Sequence, residues 1–169
     1  VDVTKASDLL RLKETLADKK VDILINNAGL LHKDVLGELD AGTIRAQFEV
    51  NALAPLRVTE ALLDNLSKGS KIALITSRMG SIADNGSRYG YRMSKAALNA
   101  AGKSLSIDLK DKGIAVAILH PGFVQTDMVN HAGDIPAETA AERLMQRIDE
   151  LSMESTGEFY HSNGDPLPW

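Results

Sequence analysis

The chain has 169 residues, a formal net charge of −4 and an ordinary globular composition of 44% hydrophobic and 25% charged residues, enough for one domain with a hydrophobic core. It has no Cys and four scattered His, which excludes a disulfide framework, a thiolate nucleophile and a recognisable metal site. No dense Lys/Arg cluster and no apolar run of ~18 residues is present, so neither a nucleic acid nor a membrane is an expected partner.

Helices and strands alternate along the sequence. In chain order the patterns predict a helix after Ser7, a strand at 21–25, a loop at 30–39 and a helix at 40–66. They then predict a strand at 71–76, a polar loop at 77–88 and a helix at 89–112. The last predicted elements are a strand at 114–119, a helix at 136–151 and a strand at 157–161. Ser7 and Asp40 are placed as helix caps, Pro136 at a first helical position and Gly113 as a stop signal. Pro55 should kink the helix that contains it.

The three longer strands are apolar on both faces and are separated by helices. This pattern is typical of a parallel sheet that is covered by helices on both sides. The sequence therefore predicts one α/β domain over residues 1–169, with a doubly wound parallel sheet.

The stretch Tyr91-Arg92-Met93-Ser94-Lys95 carries the clearest chemical signal, because Ser77 stands upstream at a predicted strand end. A Tyr and a Lys four residues apart share one helix face, and a cation beside a phenol lowers its pKa. Such a Tyr can exchange a proton with a substrate oxygen, to which Ser77 can donate a hydrogen bond. The trio suits interconversion of a carbonyl and an alcohol; the alternative is a half-buried tyrosine followed by a solvated lysine.

Six features occur in an order that matches a known family: Asp2-Val3-Thr4, Asn26-Asn27-Ala28-Gly29 after a strand, Asn51, Thr76-Ser77, Tyr91 with Lys95, and Pro121-Gly122 followed by Thr126. With them the chain resembles the short-chain dehydrogenases/reductases, which have a Rossmann-like fold. The stretch from Tyr91 to Asn99 and the ending from Asn163 to Trp169 are most similar to the C-factor/sniffer-like carbonyl reductase branch.

The resemblance implies a catalytic role for four residues. Tyr91 would be the acid/base, and Lys95 would activate it and hold the nicotinamide ribose. Ser77 would orient the substrate carbonyl, and Asn51 would hold a water that links Lys95 to solvent. From the residues alone, Asn51 could instead bond a backbone carbonyl near the helix kink.

The resemblance also implies an NADP or NAD cofactor, with NADP slightly favoured. Asp2 would contact the adenine, and Asn26, Ala28 and Gly29 would border a ribose. Val124 and Thr126, after Pro121-Gly122, would meet the nicotinamide carboxamide. Each residue also has a structural alternative, since Asp2 could be plain loop, Asn26 and Gly29 are ordinary turn residues, and Thr126 could cap a turn.

No glycine-rich G-x-x-x-G-x-G turn occurs in the sequence. The resemblance therefore implies a domain that is N-terminally incomplete, without its first two strand-helix units of ~30 residues each. The strand at 21–25 is then expected at an exposed sheet edge. The alternative function is a non-catalytic fragment or binding module of this fold that cannot hold the dinucleotide.

The remaining expectations concern partners and location. The resemblance implies a small or medium carbonyl or alcohol substrate, with a substrate loop at 128–135, and a cytoplasmic protein. The helices at 40–66 and 89–112 are apolar on more than one face. In the family they form the subunit interface, so a homodimer or homotetramer is expected there.

Overall fold

The computed structural model describes all residues from Val1 to Trp169. Its centre is a sheet of four parallel strands in the order β1-β2-β3-β4. The strands are β1 (Ile23–Asn26), β2 (Lys71–Ile75), β3 (Ala115–His120) and β4 (Phe159–His161). The α-helices are α1 (Ala6–Leu16), α2 (Ala41–Phe48), α3 (Ala54–Ala61), α4 (Tyr89–Asp108) and α5 (Ala137–Glu150). None of them is both long and apolar enough to cross a membrane.

The alternation of side chains along the central strands builds a core on each side of the sheet. On one side Ile72 and Leu74 of β2 pack with Leu98 of α4. On the other side Ile75 packs in a cluster with Ile148 of α5. The predicted parallel sheet with helices on both faces is confirmed.

The first strand lies at the edge of this sheet, because β1 pairs with β2 alone. Ile25 stands beside Ala73, on the face that α5 covers further along the sheet. Ile23 and Ile25 are 39% and 42% exposed. The expected exposed apolar edge is confirmed.

The helix predicted over 40–66 is divided at the proline. A π-helical turn, Glu49–Leu53, joins α2 to α3, and within it the Ala54 N–H donates to the Glu49 carbonyl five residues back. Pro55 has no N–H to give to the preceding turn, so the backbone widens just before it. Single π-helical turns of this kind are frequent at functional sites.

Two of the predicted helix ends are correct and two are wrong. Asp40 caps α2 by accepting the Gly42 N–H at 2.7 Å, and Gly113 ends the α4 region with a left-handed φ of 67°. Ser7 does not cap α1, which begins one residue earlier at Ala6. Pro136 precedes α5 instead of entering it, because its ψ of 154° is extended.

Candidate active site

The carboxyl ends of the parallel strands open into a cavity of about 960 Å³. Eight of the residues predicted for the site line it: Gly29, Ser77, Tyr91, Lys95, Pro121, Gly122, Val124 and Thr126. The other four, Asp2, Asn26, Ala28 and Asn51, do not line it. Ligands of open α/β sheets bind at this edge of the sheet, so its position is that of a binding cleft.

Tyr91 and Lys95 lie in the first two turns of α4 and face the same cavity. Lys95 is 4% exposed; its ammonium donates to the Ile75 carbonyl at 2.9 Å and lies 5.8 Å from the centre of the Tyr91 ring. Burial lowers the pKa of Lys95 to about 8, so the side chain is still mostly cationic at neutral pH.

The expected lowering of the Tyr91 pKa is wrong for the free protein. Burial raises the pKa of Tyr91, and a hydrogen bond with Ser77 opposes the shift only in part. The sequence does not show how deeply Tyr91 is buried. The opposing effects of burial and of the Lys95 cation on its pKa could therefore not be compared from the sequence. In the fold Lys95 is bonded to Ile75 and lies over the ring. Tyr91 is therefore a protonated phenol at neutral pH, suited to giving up a proton.

Ser77 follows β2 directly and opens the short 3-10 turn Arg78–Gly80. Its hydroxyl oxygen accepts the Met79 N–H at 3.1 Å and so fixes the side chain at the start of the turn. The same hydroxyl lies close enough to Tyr91 to lower the pKa of its phenol. Ser77 and Tyr91 therefore present two hydroxyl groups to the same part of the cavity, as their sequence positions predicted.

A close contact joins the end of β2 to α4. The Thr76 hydroxyl donates to the Asn99 side-chain oxygen at 2.6 Å, and both residues are buried. A Cβ added to Gly80 would lie 2.8 Å from the backbone carbon of Lys95, so only glycine permits this approach. The contact fixes Ser77 relative to Tyr91 and Lys95. No local sequence signal indicated Asn99 or Gly80 as part of it.

Asn51 is fully buried in the π-helical turn. Its side chain accepts the Leu30 N–H at 2.7 Å and donates to the Leu30 carbonyl at 2.8 Å and to the Ser94 hydroxyl at 2.9 Å. The carbonyl it bonds belongs to the loop after β1 and not to its own helix. Asn51 thus ties that loop to α4, and a water-holding role stays a prediction.

A second tie between this loop and α4 comes from Asp34. Its carboxylate accepts the N–H groups of Tyr89 at 2.5 Å and of Gly90 at 2.9 Å, and the residue is buried. The residue before the helix, Arg88, supplies no side-chain cap. Asp34 therefore caps the helix of Tyr91 from 55 residues away, and no local sequence signal indicated it.

The predicted cofactor residues outside the cavity lining differ in their surroundings. Asp2 folds onto its own loop: hydrogen bonds from Thr4 lower the pKa of its carboxyl group. Ala28 is exposed. Asn26 is 8% exposed, and its amide nitrogen has no partner within the protein. Thr126 lies in the lining, and its side chain makes no hydrogen bond that caps the following turn.

Comparison with known proteins shows the family to which the chain belongs. A family profile described as "short chain dehydrogenase" matches residues 1–136. The chain belongs to the short-chain dehydrogenase family. The recognition made from the six sequence features is confirmed, and the protein is a member of an oxidoreductase family.

Two relatives are similar to this chain over most of its length. One is the 1-hydroxy-2-glutathionyl-2-methyl-3-butene dehydrogenase of Rhodococcus sp. strain AD45, 42% identical, with the match covering 100% of this chain and 78% of the relative. The other is the C-signal protein of Myxococcus xanthus, 46% identical, covering 88% of this chain and 93% of the relative.

Solved structures support the same branch of the family. The carbonyl reductase Sniffer of D. melanogaster superposes with a TM-score of 0.93 at 30% identity, over 100% of this chain and 76% of that one. An NADPH-bound carbonyl reductase from chicken fatty liver gives a TM-score of 0.91 at 27% identity, over 100% and 75%. The expected similarity to the C-factor/sniffer-like branch is confirmed, and the fold is that of these reductases.

The buried Lys95 gives the protein a pH-dependent stability. Unfolding returns its pKa from about 8 to about 10.5. Between these values the unfolded chain binds more protons, so this lysine adds stability as the pH rises. From pH 8 to 10.5 the unfolding free energy of the wild type should therefore gain about 3 kcal/mol relative to Lys95→Met.

Urea unfolding of both proteins across that pH range measures this gain. The exposed Lys110 offers the matched control, and Lys110→Met should show no such change relative to the wild type. A constant difference between the wild type and Lys95→Met from pH 8 to 10.5 would show that the Lys95 ammonium is not desolvated.

Proposed function

We propose that the protein is an NAD(P)-dependent reductase that interconverts a carbonyl and an alcohol on small or medium substrates, with Tyr91 as its acid/base. The observation that carries the proposal is the meeting of Ser77, Tyr91 and Lys95 in one cavity at the carboxyl ends of parallel strands. The family assignment and the similarity to two carbonyl reductases support it.

In the direction of reduction, a bound nicotinamide dinucleotide supplies a hydride to the carbonyl carbon. The Tyr91 phenol gives its proton to the carbonyl oxygen, since its raised pKa keeps it protonated beforehand. The Ser77 hydroxyl bonds the same oxygen and holds it toward Tyr91. The Lys95 ammonium, mostly charged at neutral pH, favours the phenolate that Tyr91 becomes.

The residues present fit the nicotinamide end of a dinucleotide. A Cβ added to Gly29 would meet only ordinary van der Waals contacts, the nearest at 3.6 Å. The packing of the protein itself therefore does not require glycine at this position, which lines the cavity. Val124 and the free hydroxyl of Thr126 lie on the lining nearby. Buried Asn26 keeps an unpartnered amide nitrogen at the end of β1.

NADP is the cofactor we favour over NAD. The support comes from the carbonyl reductase of chicken fatty liver, which was solved with NADPH bound. The residues that would hold the nicotinamide end are Tyr91, Lys95, Pro121, Gly122, Val124 and Thr126. The roles expected for Asp2 at the adenine and for Asn26, Ala28 and Gly29 at a ribose stay predictions, as does the cytoplasmic location.

Replacing the acid/base tests this proposal. Tyr91→Phe should lower turnover of aldehydes, ketones or quinones by ~10²–10⁴-fold, because general acid–base catalysis contributes that much. Dinucleotide affinity should change little, since only the hydroxyl is removed. Steady-state rates with NADPH and with NADH, together with calorimetry of dinucleotide binding, measure both quantities.

Tyr160→Phe is the matched control, because Tyr160 packs against the core beside α5 and lies outside the cavity. It should keep wild-type rates. A Tyr91→Phe protein that retained more than about a tenth of the rate would contradict the acid/base role. Absence of both turnover and dinucleotide binding in the wild type would favour the alternative, a non-catalytic module of this fold.

We also propose that the protein forms a homodimer or homotetramer through the helices that back the site. A groove of about 650 Å³ crosses them and is lined mostly by apolar side chains, including Ile44, Phe48, Leu53 and Leu56. Leu53 and Leu56 are 38% and 37% exposed in the single chain. A two-fold contact would bury the same groove on both copies.

Sedimentation at micromolar concentration tests this association. The wild type should sediment as a dimer or tetramer, and Leu53→Glu should shift it toward the monomer because a charge would enter the buried contact. Leu10→Glu is the control, since Leu10 is 59% exposed on α1, away from the groove. A monomeric wild type, or equal effects of the two substitutions, would count against the interface.

A further inference from the structure

The active-site cavity concentrates positive charge in an acidic protein. Its lining holds the cations Lys33, Arg78, Arg88, Arg92 and Lys95, against the carboxylates Asp84 and Asp127. The chain as a whole has a net charge of −4. Such a local excess of cations attracts anionic ligands to a cleft.

Three of these cations are already used by the protein, and one of them is Lys95, whose ammonium donates to the Ile75 carbonyl. Arg78 pairs with Asp84 at 2.6 Å. Arg92 donates to the carbonyl groups of Gly86 and Asp84 at 2.5 and 2.7 Å. Lys33 and Arg88, in contrast, form no ion pair and no side-chain hydrogen bond, although both line the cavity and Arg88 is half-buried. They are the cations left for a ligand.

The Asp34 cap brings together the two backbone segments that carry these cations. Asp34 bonds the N–H groups of Tyr89 and Gly90, so its neighbour Lys33 and the preceding residue Arg88 flank the same contact. Both carboxylate oxygens of Asp34 are occupied by backbone donors. The arrangement lies one helical turn before Tyr91, on the same cavity.

The backbone at Arg88 points to the same conclusion. Ser87 and Arg88 have φ values of 53° and 50°, in the left-handed region that residues with side chains rarely adopt. Backbone conformations of this kind collect at functional sites, where the surrounding structure enforces them. Here the enforced conformation places an arginine with no protein partner on the cavity wall.

We propose that Lys33 and Arg88 form an anion subsite that binds a carboxylate of the substrate. Because a guanidinium matches a carboxylate with two parallel hydrogen bonds, Arg88 would be the main contact and Lys33 a second charge. The inference rests on the proposed function. It narrows the substrate class to carbonyl compounds, or the corresponding alcohols, that carry a carboxylate away from the reacting carbon.

A series of ω-oxo carboxylic acids of increasing chain length, each compared with its methyl ester, tests the subsite. At the length that joins Tyr91 to Arg88, kcat/KM of the acid should exceed that of the ester by about tenfold or more, the usual size of a charge-assisted hydrogen bond. The ratio should fall toward one in Arg88→Gln and decrease in Lys33→Gln. Arg88→Lys should recover part of it. Lys112→Gln, an exposed charge removed outside the cavity, should leave the ratio at its wild-type value.

Three outcomes would overturn the subsite. One is the absence of any acid preference at every chain length, and another is a preference that survives both Gln substitutions. The third is a raised KM for NADPH in Arg88→Gln with an unchanged acid-to-ester ratio, which would assign the cations to a dinucleotide phosphate.

Calorimetry of the same acids and esters separates this proposal from the proposed function. If neither acid nor ester is turned over, reduction of these compounds is not supported. The affinities of the acids and esters then still test the subsite. Tighter binding of the acid than of its ester, lost in Arg88→Gln, would support the subsite. Equal binding of the two would overturn it.

Discussion

The site depends on how closely α4 packs against the carboxyl end of β2. Gly80 lets the turn after β2 approach the backbone of Lys95, and the buried Thr76–Asn99 hydrogen bond holds the two elements there. The Lys95 ammonium adds a bond to the last carbonyl of β2. Since Ser77 follows β2 and Tyr91 lies in the first turn of α4, this one contact sets the distance between the two hydroxyl groups that face the cavity.

The loop after β1 completes the arrangement from the other side. Asn51 fixes the loop at Leu30 and reaches Ser94 of α4, while Asp34 caps the same helix at Tyr89 and Gly90. The loop after β1 and the helix that carries Tyr91 are thus parts of one hydrogen-bonded unit. Burial raises the pKa of Tyr91, which keeps the phenol protonated, and lowers the pKa of Lys95 to about 8, which leaves its ammonium mostly charged at neutral pH. Perturbed pKa values of this kind are frequent at functional sites.

The features of the fold and the site that could be predicted from the sequence are those that leave a local pattern in it. Apolar runs predicted the parallel sheet, and the spacing of Tyr91 and Lys95 predicted one helix face. Asp34 and Asn99 could not be found in this way, because their partners lie 55 and 23 residues away and depend on how the loop and helix meet. Ser7 failed as a cap because α1 begins one residue earlier, and the direction of the Tyr91 pKa required knowledge of its burial.

The central claim is that this cavity transfers a hydride between a nicotinamide and a carbonyl carbon. Transfer of label from NADPH in which deuterium replaces both hydrogens at the reactive carbon of the nicotinamide tests it most directly, with the product alcohol examined by NMR or mass spectrometry. The account predicts one deuterium on the former carbonyl carbon, with the hydroxyl proton coming from solvent through Tyr91. An alcohol that is formed without the label would contradict it.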